Sequence, residues 1–310
     1  MERLKVIDSG EEIEAIWNAD AASLTRRVRE YEATRAGATS GTVGLTFHGI
    51  SLASPPEGPL QRLADAIRGL RDRVHWLNSL RAIPERVPQF GVPPGQLLPD
   101  GSNAGDYLAR DSLAGAELVR RVSAVFERTT QHRLDVKRYA LAGEERYSIA
   151  VSPIGASPPV EIPIVDTGEG LAQPLPVVVL GCLAQLGRLP DDSILAVEHP
   201  ELHLHPVAHA PLAELFCGLA AQARPPTMLI ETHSASFLLR VQIAIAKGDL
   251  SPDLVVVHWI RALGRGSVAD TITFDAAARP VGAGWPPGVF SEDLQQSREL
   301  LAIRKSRGFA

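Results

Sequence analysis

The 310-residue chain holds only two cysteines, Cys182 and Cys217, each set among apolar and small residues with no paired spacing. That excludes a disulfide framework or a zinc knuckle and reads as two core thiols in a reducing compartment. Long apolar runs are missing too: the greasiest stretch, Leu175 to Leu189, is broken by Pro176, Gln185 and Arg188, so no membrane span is expected. The opening "MERLKVIDSGEEIEAIW" lacks the apolar core of a secretory signal, and the expected location is cytoplasmic. There is no excess of positive charge. A formal net charge of -5 argues against a uniformly basic nucleic-acid coat and leaves room only for a local basic stripe. No internal repeat or low-complexity tract appears. What is left, at 45% hydrophobic and 22% charged residues, is a soluble globular chain able to bury one large core or two modest ones.

Texture divides the chain near residue 110, giving an N-terminal helical arm over 1–110 and an α/β lobe over 111–310. Ile13, Ile16, Trp17, Leu24, Val28 and Tyr31 form an incomplete apolar stripe, which predicts a charged helix over 10–36. Residues 43–50 read as a strand. Residues 60–80 have helical spacing beside Arg62, Arg68, Arg71 and Arg73, a solvated basic face more than a phosphate contact. Trp76 and Arg81 are read as packing groups ahead of a nucleic-acid clamp. Residues 82–106, with many Pro and Gly and the turn string "PDGSN", read as a loop. A helix follows at about 111–127, then β-rich segments near 133–140, 146–152 and 160–165. Beyond these, "GLAQPLPVVVLGCLAQLG" is a helix confined by its prolines to its later turns. "SILAV", "TMLIET" and "DLVVVHWI" alternate as strands with the helices "VAHAPLAELFCGLAAQA" and "SASFLLRVQIAIAKG". Strand, helix, strand, helix, strand predicts parallel pairing with right-handed crossovers.

The stretch "SILAVEHPELHLHP", residues 193–206, ends an apolar run in two glutamates and three histidines. Ligands of open parallel sheets sit beyond the carboxyl ends of the strands, so Glu198, His199 and His233 should share one crevice. A carboxylate there can hold hydrated Mg²⁺, a neighbouring base can orient water, and an imidazole can donate to a phosphate oxygen. A zinc site using His203, His205 and His209 is the competing reading.

"LAVEHPELHLHP" followed by "MLIETHS" resembles the extended Walker B segment, D-loop and switch histidine of ABC-type ATPases. The likeness is nearest to bacterial AAA-type ATPases related to the overcoming-lysogenization-defect (OLD) proteins and to the SMC-like double-strand-break-repair ATPases. "DTGEGLAQPLPVVV" resembles their signature motif, and "GWPPGVFSEDLQQSRELL" a C-terminal tail found in one branch. The resemblance covers about residues 160–310, with weaker echoes in "WLNSLRAIPER" and "DGSNAGDYLARD". It implies a partial ABC-ATPase-like head, with a mostly parallel sheet flanked by helices. Glu198 then stands for the Walker B acid that helps hold Mg²⁺, and His233 for the switch histidine near the γ-phosphate. Gly168 and Gly170 lie in the signature loop, whose amides and following helix favour phosphate, and Gln173 and His205 join the nucleotide-binding set. His199 replaces the usual water-orienting glutamate or glutamine, leaving Glu201 as a substitute base or a D-loop cap. Ala172 stands where many relatives have serine.

A phosphate cradle is the largest absence. These 310 residues contain four lysines, Lys5, Lys137, Lys247 and Lys305, and none closes a Gly-x-x-x-x-Gly-Lys-Ser/Thr frame. The expectation is a subunit of a split ATPase that meets ATP and Mg²⁺ together with a P-loop-bearing partner, in DNA maintenance or antiphage defence as relatives serve. The alternative is a catalytically silent scaffold that binds a partner protein or regulates a nuclease.

Overall fold

In a computed structural model the described residues are 2–8, 11–17, 26–27, 43–46, 49–52, 69, 72–90, 96–141, 143–158, 160–264, 266–282, 284–285, 289–290, 298–300 and 303. The chain forms two compact units, Met1–Val74 and His75–Ala310. Residue 110, where the sequence changes texture, falls inside a helix of the second unit.

In the first unit, β1 (Glu2–Asp8) and β2 (Glu11–Trp17) pair antiparallel with Val6 opposite Ile13, and β3 (Arg26–Arg27), β4 (Val43–Thr46) and β5 (Gly49–Leu52) form a second antiparallel sheet. The helix expected over 10–36 is therefore corrected to strand at 11–17 and 26–27. Two β-rich runs joined by the dipeptide Ser9-Gly10 carry a hairpin signal, and it outweighs the i, i+3 placement of Ile13 and Ile16. The single strand expected at 43–50 is corrected to two, β4 and β5, which pair antiparallel with each other. Arg62, Arg68, Arg71 and Lys305 lie outside the described residues.

The second unit is mixed α/β, with a parallel sheet flanked by helices. Its central sheet has the order β11–β10–β6, from β6 (Val74–Leu77), β10 (Ile194–Glu198) and β11 (Thr227–Glu231). β10 and β11 run parallel, Ile194 beside Thr227 through Glu198 beside Glu231. β6 corrects the helix expected to run through residue 77. The 111–127 helix is two: α1 (Ala104–Leu113) begins directly after the "PDGSN" turn, and α2 (Glu117–Thr130) follows a break at which Ala116 adopts φ 57°. Leu118, Val119, Val122, Val125 and Phe126 line one side of α2 and are buried, the i, i+4, i+7 stripe of an amphipathic helix.

Beyond α2, β7 (His132–Leu141), β8 (Glu144–Pro153) and β9 (Ile162–Pro163) form an antiparallel sheet. A one-turn helix α3 (Glu169–Ala172) then leads into α4 (Leu175–Gln185), which is buried from Leu175 through Leu183 and so forms the centre of the core. The same core takes in Leu77, Leu195 and Val197 from the central sheet and Leu212, Leu215 and Leu219 from α5 (Pro206–Ala220). α6 (Ala235–Lys247) starts on Ser234, whose hydroxyl accepts from the Phe237 amide, and ends at Gly248, φ 78°. A smaller cluster joins Ile245 and Leu250 to Phe274 and Ala278. The last expected parallel strand is corrected. β12 (Val257–Leu263) follows a 3₁₀ turn at Pro252–Leu254 and pairs antiparallel with β13 (Gly266–Phe274), which pairs with β14 (Pro280–Gly282). β13 follows β12 after a short connection, and a local hairpin needs no crossover.

Candidate functional site

The carboxyl ends of β10 and β11 form the rim of the site. The His199 amide donates to the Glu231 carbonyl at 2.8 Å, extending the ladder one residue past Glu198. His199 then turns at φ 42°, the left-handed region that a non-glycine residue enters at a cost of about 1–2 kcal/mol. The turn stacks its imidazole on that of His233, with centroids 4.8 Å apart and planes 27° from parallel. His199 Nε2 lies 3.6 Å from Glu231 Oε1.

Glu198 and His233 end neighbouring strands, yet among the described residues no hydrogen bond or ion pair joins them. The Glu198 carboxylate turns to the other side of β10, where Oε1 accepts from the Trp76 indole and Oε2 from the Ser79 amide, both at 3.1 Å. A carboxylate offers about four lone-pair directions, so each oxygen keeps one beyond these bonds.

Glu201 is buried, and its Oε1 accepts from the His233 amide at 2.9 Å. It links the loop after β10 to the loop after β11, which is a positioning contact and not the place of a base open to water. His203 pairs with Glu169 at 3.0 Å. His205 is the exposed N-cap of α5, its Nδ1 accepting from the Val207 amide at 3.3 Å. His209 bonds the Ser234 hydroxyl at 2.8 Å and the Leu204 carbonyl at 3.2 Å. These three histidines therefore face three separate sets of partners, and the zinc reading built on them is corrected.

The signature-like loop is described by a contrast between its glycines. A Cβ at Gly168 would meet nothing within 4 Å, whereas one at Gly170 would stand 2.9 Å from the His203 carbonyl oxygen. Gly170 is thus needed for close packing against the loop after β10, and Gly168 leaves open space. The helix that follows is one turn long and carries Glu169 in that turn. Its dipole is correspondingly small, and the acid opposes an anion there. Gln173 is buried, with its amide spent reciprocally on the Arg81 backbone: Oε1 accepts from Arg81 N at 3.0 Å and Nε2 donates to Arg81 O at 2.8 Å.

The segment 76–86 ties these parts together. Arg81 is buried and its Nη2 donates to the carbonyls of Glu198 and His199, the latter at 2.8 Å, pinning the turn. Burial pulls its guanidinium down to about 10, opposed by the charges of Glu201 and Glu198. Arg86 forms a two-pronged ion pair with Asp166, just before the signature-like loop, and that hydrogen bonding holds the Asp166 carboxyl below the usual range. Sequence reasoning missed Glu231, Ser79 and Arg86 and assigned Trp76 and Arg81 to packing. The one available signal was the echo in "WLNSLRAIPER".

No protein-family model and no curated protein sequence matches the chain. Among solved structures it is similar to the Smc head domain with an extended coiled coil, bound to the C-terminal domain of ScpA, from Pyrococcus furiosus: 8% identity, TM-score 0.38, 66% of this chain and 42% of that one. It is also similar to a structure from work on ATP-driven dimerization and DNA-stimulated activation of SMC ATPases, with 10% identity, TM-score 0.39, 63% of this chain and 97% of that one. A third is the SmcHead bound to the C-winged helix domain of ScpA, at 9% identity and TM-score 0.42, covering 84% of this chain and 68% of that one. The chain spans less than half the length of the first of these, 42%. These are likenesses of chain path alone, and the functional reading rests on residues. Among the described residues no helix is long and apolar enough to cross a membrane.

Proposed function

We propose that the chain is the P-loop-lacking subunit of a split ABC/AAA-type ATPase, supplying signature, Walker B-like and switch-histidine elements to a partner that grips the triphosphate. The observation that carries the reading is the register of β10 and β11, which sets Glu198 beside Glu231 and brings His199 and His233 into ring contact at one rim. The order of the motifs along the sequence supports it, as does the lack of any Gly-x-x-x-x-Gly-Lys-Ser/Thr frame in these 310 residues. In this reading Glu198 holds hydrated Mg²⁺ through its remaining lone pairs, and Gly168 offers backbone to phosphate. His233 faces the γ-phosphate beside His199, while Glu201 and Gln173 hold the loops in place and His205 caps the helix behind them. When bound, ATP supplies the phosphoryl group. The chain's part is to orient water and steady charge at the rim. DNA maintenance or antiphage defence is the proposed setting, on resemblance alone, with DNA or a nuclease as further partners.

A second reading, a silent scaffold that binds a partner protein, is favoured by one observation: the Gln173 amide is buried and turned to the Arg81 backbone at both its ends, away from a nucleotide in solvent. The two part in one experiment. The purified chain should not hydrolyse ATP alone. The complex captured from the native host should do so, with His233→Ala lowering its turnover by about tenfold or more. ATP turnover by the lone chain that is lost in Glu198→Gln would end the split-site proposal, and an inert complex would favour the scaffold.

A further inference from the structure

We propose that His199, Glu231 and His233 form a site for one divalent transition-metal ion of the zinc class. Two imidazoles and a carboxylate are a donor set for such ions, whereas Mg²⁺ prefers an all-oxygen shell. One ligand atom from each of the three residues lies within 4.8 Å of the other two. Metal–nitrogen bonds of about 2.0–2.1 Å put tetrahedral ligand atoms about 3.3 Å apart, so the side chains must close by about 1.5 Å. Glu231 and His233 are exposed, with room to make that adjustment, while His199, the least exposed of the three, is held by its backbone.

Three features show that the backbone is set for this. The His199 amide to Glu231 carbonyl bond fixes the two strand ends against each other. Arg81 clamps the carbonyls of the two peptides that flank the His199 Cα, holding His199 in its left-handed turn. Among the described residues no hydrogen bond engages the ring nitrogens of His233, and those of His199 meet only Glu231. The other histidines of this region, His203, His205 and His209, spend ring nitrogens on Glu169, Val207 and Ser234. Three protein ligands leave at least one coordination position open to solvent, as in metal sites that take a water or an anionic oxygen.

The inference does not depend on the nucleotide reading, because metal uptake is measured without ATP. The test is calorimetric titration of the full chain with Zn²⁺, repeated with Co²⁺ and followed by visible absorption. One ion per chain, with a Kd of about 1 μM or tighter, is expected. Loss of an outer hydrogen-bonding partner alone weakens such sites by about 10–100-fold, so His233→Ala and Glu231→Gln should each weaken binding by at least about tenfold. His203→Ala and His205→Ala should leave it unchanged. Both tested residues are exposed, and unchanged melting without metal verifies that the variants fold. The proposal is overturned if the wild-type chain takes up no Zn²⁺ saturably. It is equally overturned if His233→Ala/Glu231→Gln binds as well as wild type, or if the loss appears in His203→Ala instead.

Discussion

The two faces of the β11–β10–β6 sheet differ sharply. On one, Leu77, Leu195 and Val197 are no more than 1% exposed and meet α4 and α5 in the core. On the other, strand alternation and the register of β10 with β11 place Ile194, Ala196 and Glu198 beside Thr227, Leu229 and Glu231, with the Trp76 indole bonded to Glu198. There Leu229 is 61% exposed and Trp76 41%. The covered face is finished core, while the open face shows an aromatic and a leucine to solvent and ends in acids. The contrast is thus between a face packed under helices and one that leaves single apolar side chains exposed beside its acidic end.

The largest effect that tests this contrast comes from cutting equal side chains on opposite faces. Leu195→Ala should cost about 2–5 kcal/mol in urea unfolding, and Leu229→Ala no more than about 0.5 kcal/mol. Equal costs would mean that both faces are packed. Next, Arg81→Ala should cost about 3–5 kcal/mol, because it leaves Glu201 buried without its compensating charge. Arg81→Lys should not restore the loss in full, since both carbonyls are met by Nη2, which stands one bond farther from the backbone than a lysine nitrogen. Full recovery by lysine would reduce Arg81 to its charge.

Gly170→Ala should destabilise by about 1–3 kcal/mol through the contact with His203, while Gly168→Ala should be close to neutral. A reversal in thermal melts would move the close approach to the other glycine. The smallest effect belongs to His75, buried on the covered face, where desolvation lowers its pKa below 6.5. The unfolded chain takes up that proton first, so the contribution of neutral His75 is full above pH 6.5 and is lost as pH falls below it. The slope is at most about 1.4 kcal/mol per pH unit. His75→Leu should flatten the fall of stability below pH 6.5, and an unchanged slope there would assign the titration to another group.

The regular parts of this arrangement were legible because they are periodic. The apolar runs before Glu198 and Glu231, the Ser234 cap and the stripe of α2 all follow from spacing. The α2 break at Ala116 was not legible, since alanine gives no warning of a left-handed turn. Nor was the antiparallel return of β12, because a run such as "DLVVVHWI" carries no direction. At the site, spacing put an acid and two histidines at the rim but could not say which groups would touch. The left-handed turn at His199 takes its ring to His233 and Glu231, while Glu198, the last residue of β10, meets Trp76. Arg81 was hidden for another reason: it lies 117 residues from Glu198 along the chain, and only folding shows which carbonyls it clamps.

His209 fastens the site's two loops together. One ring nitrogen is fastened to the Leu204 carbonyl in the loop after β10, and the other to the Ser234 hydroxyl at the entry to α6. A single flat ring thus rivets two segments that are distant in sequence. Anything that tugs the His233 loop outward also drags the start of α5, so a force applied at the mouth of the site travels along two helices at once.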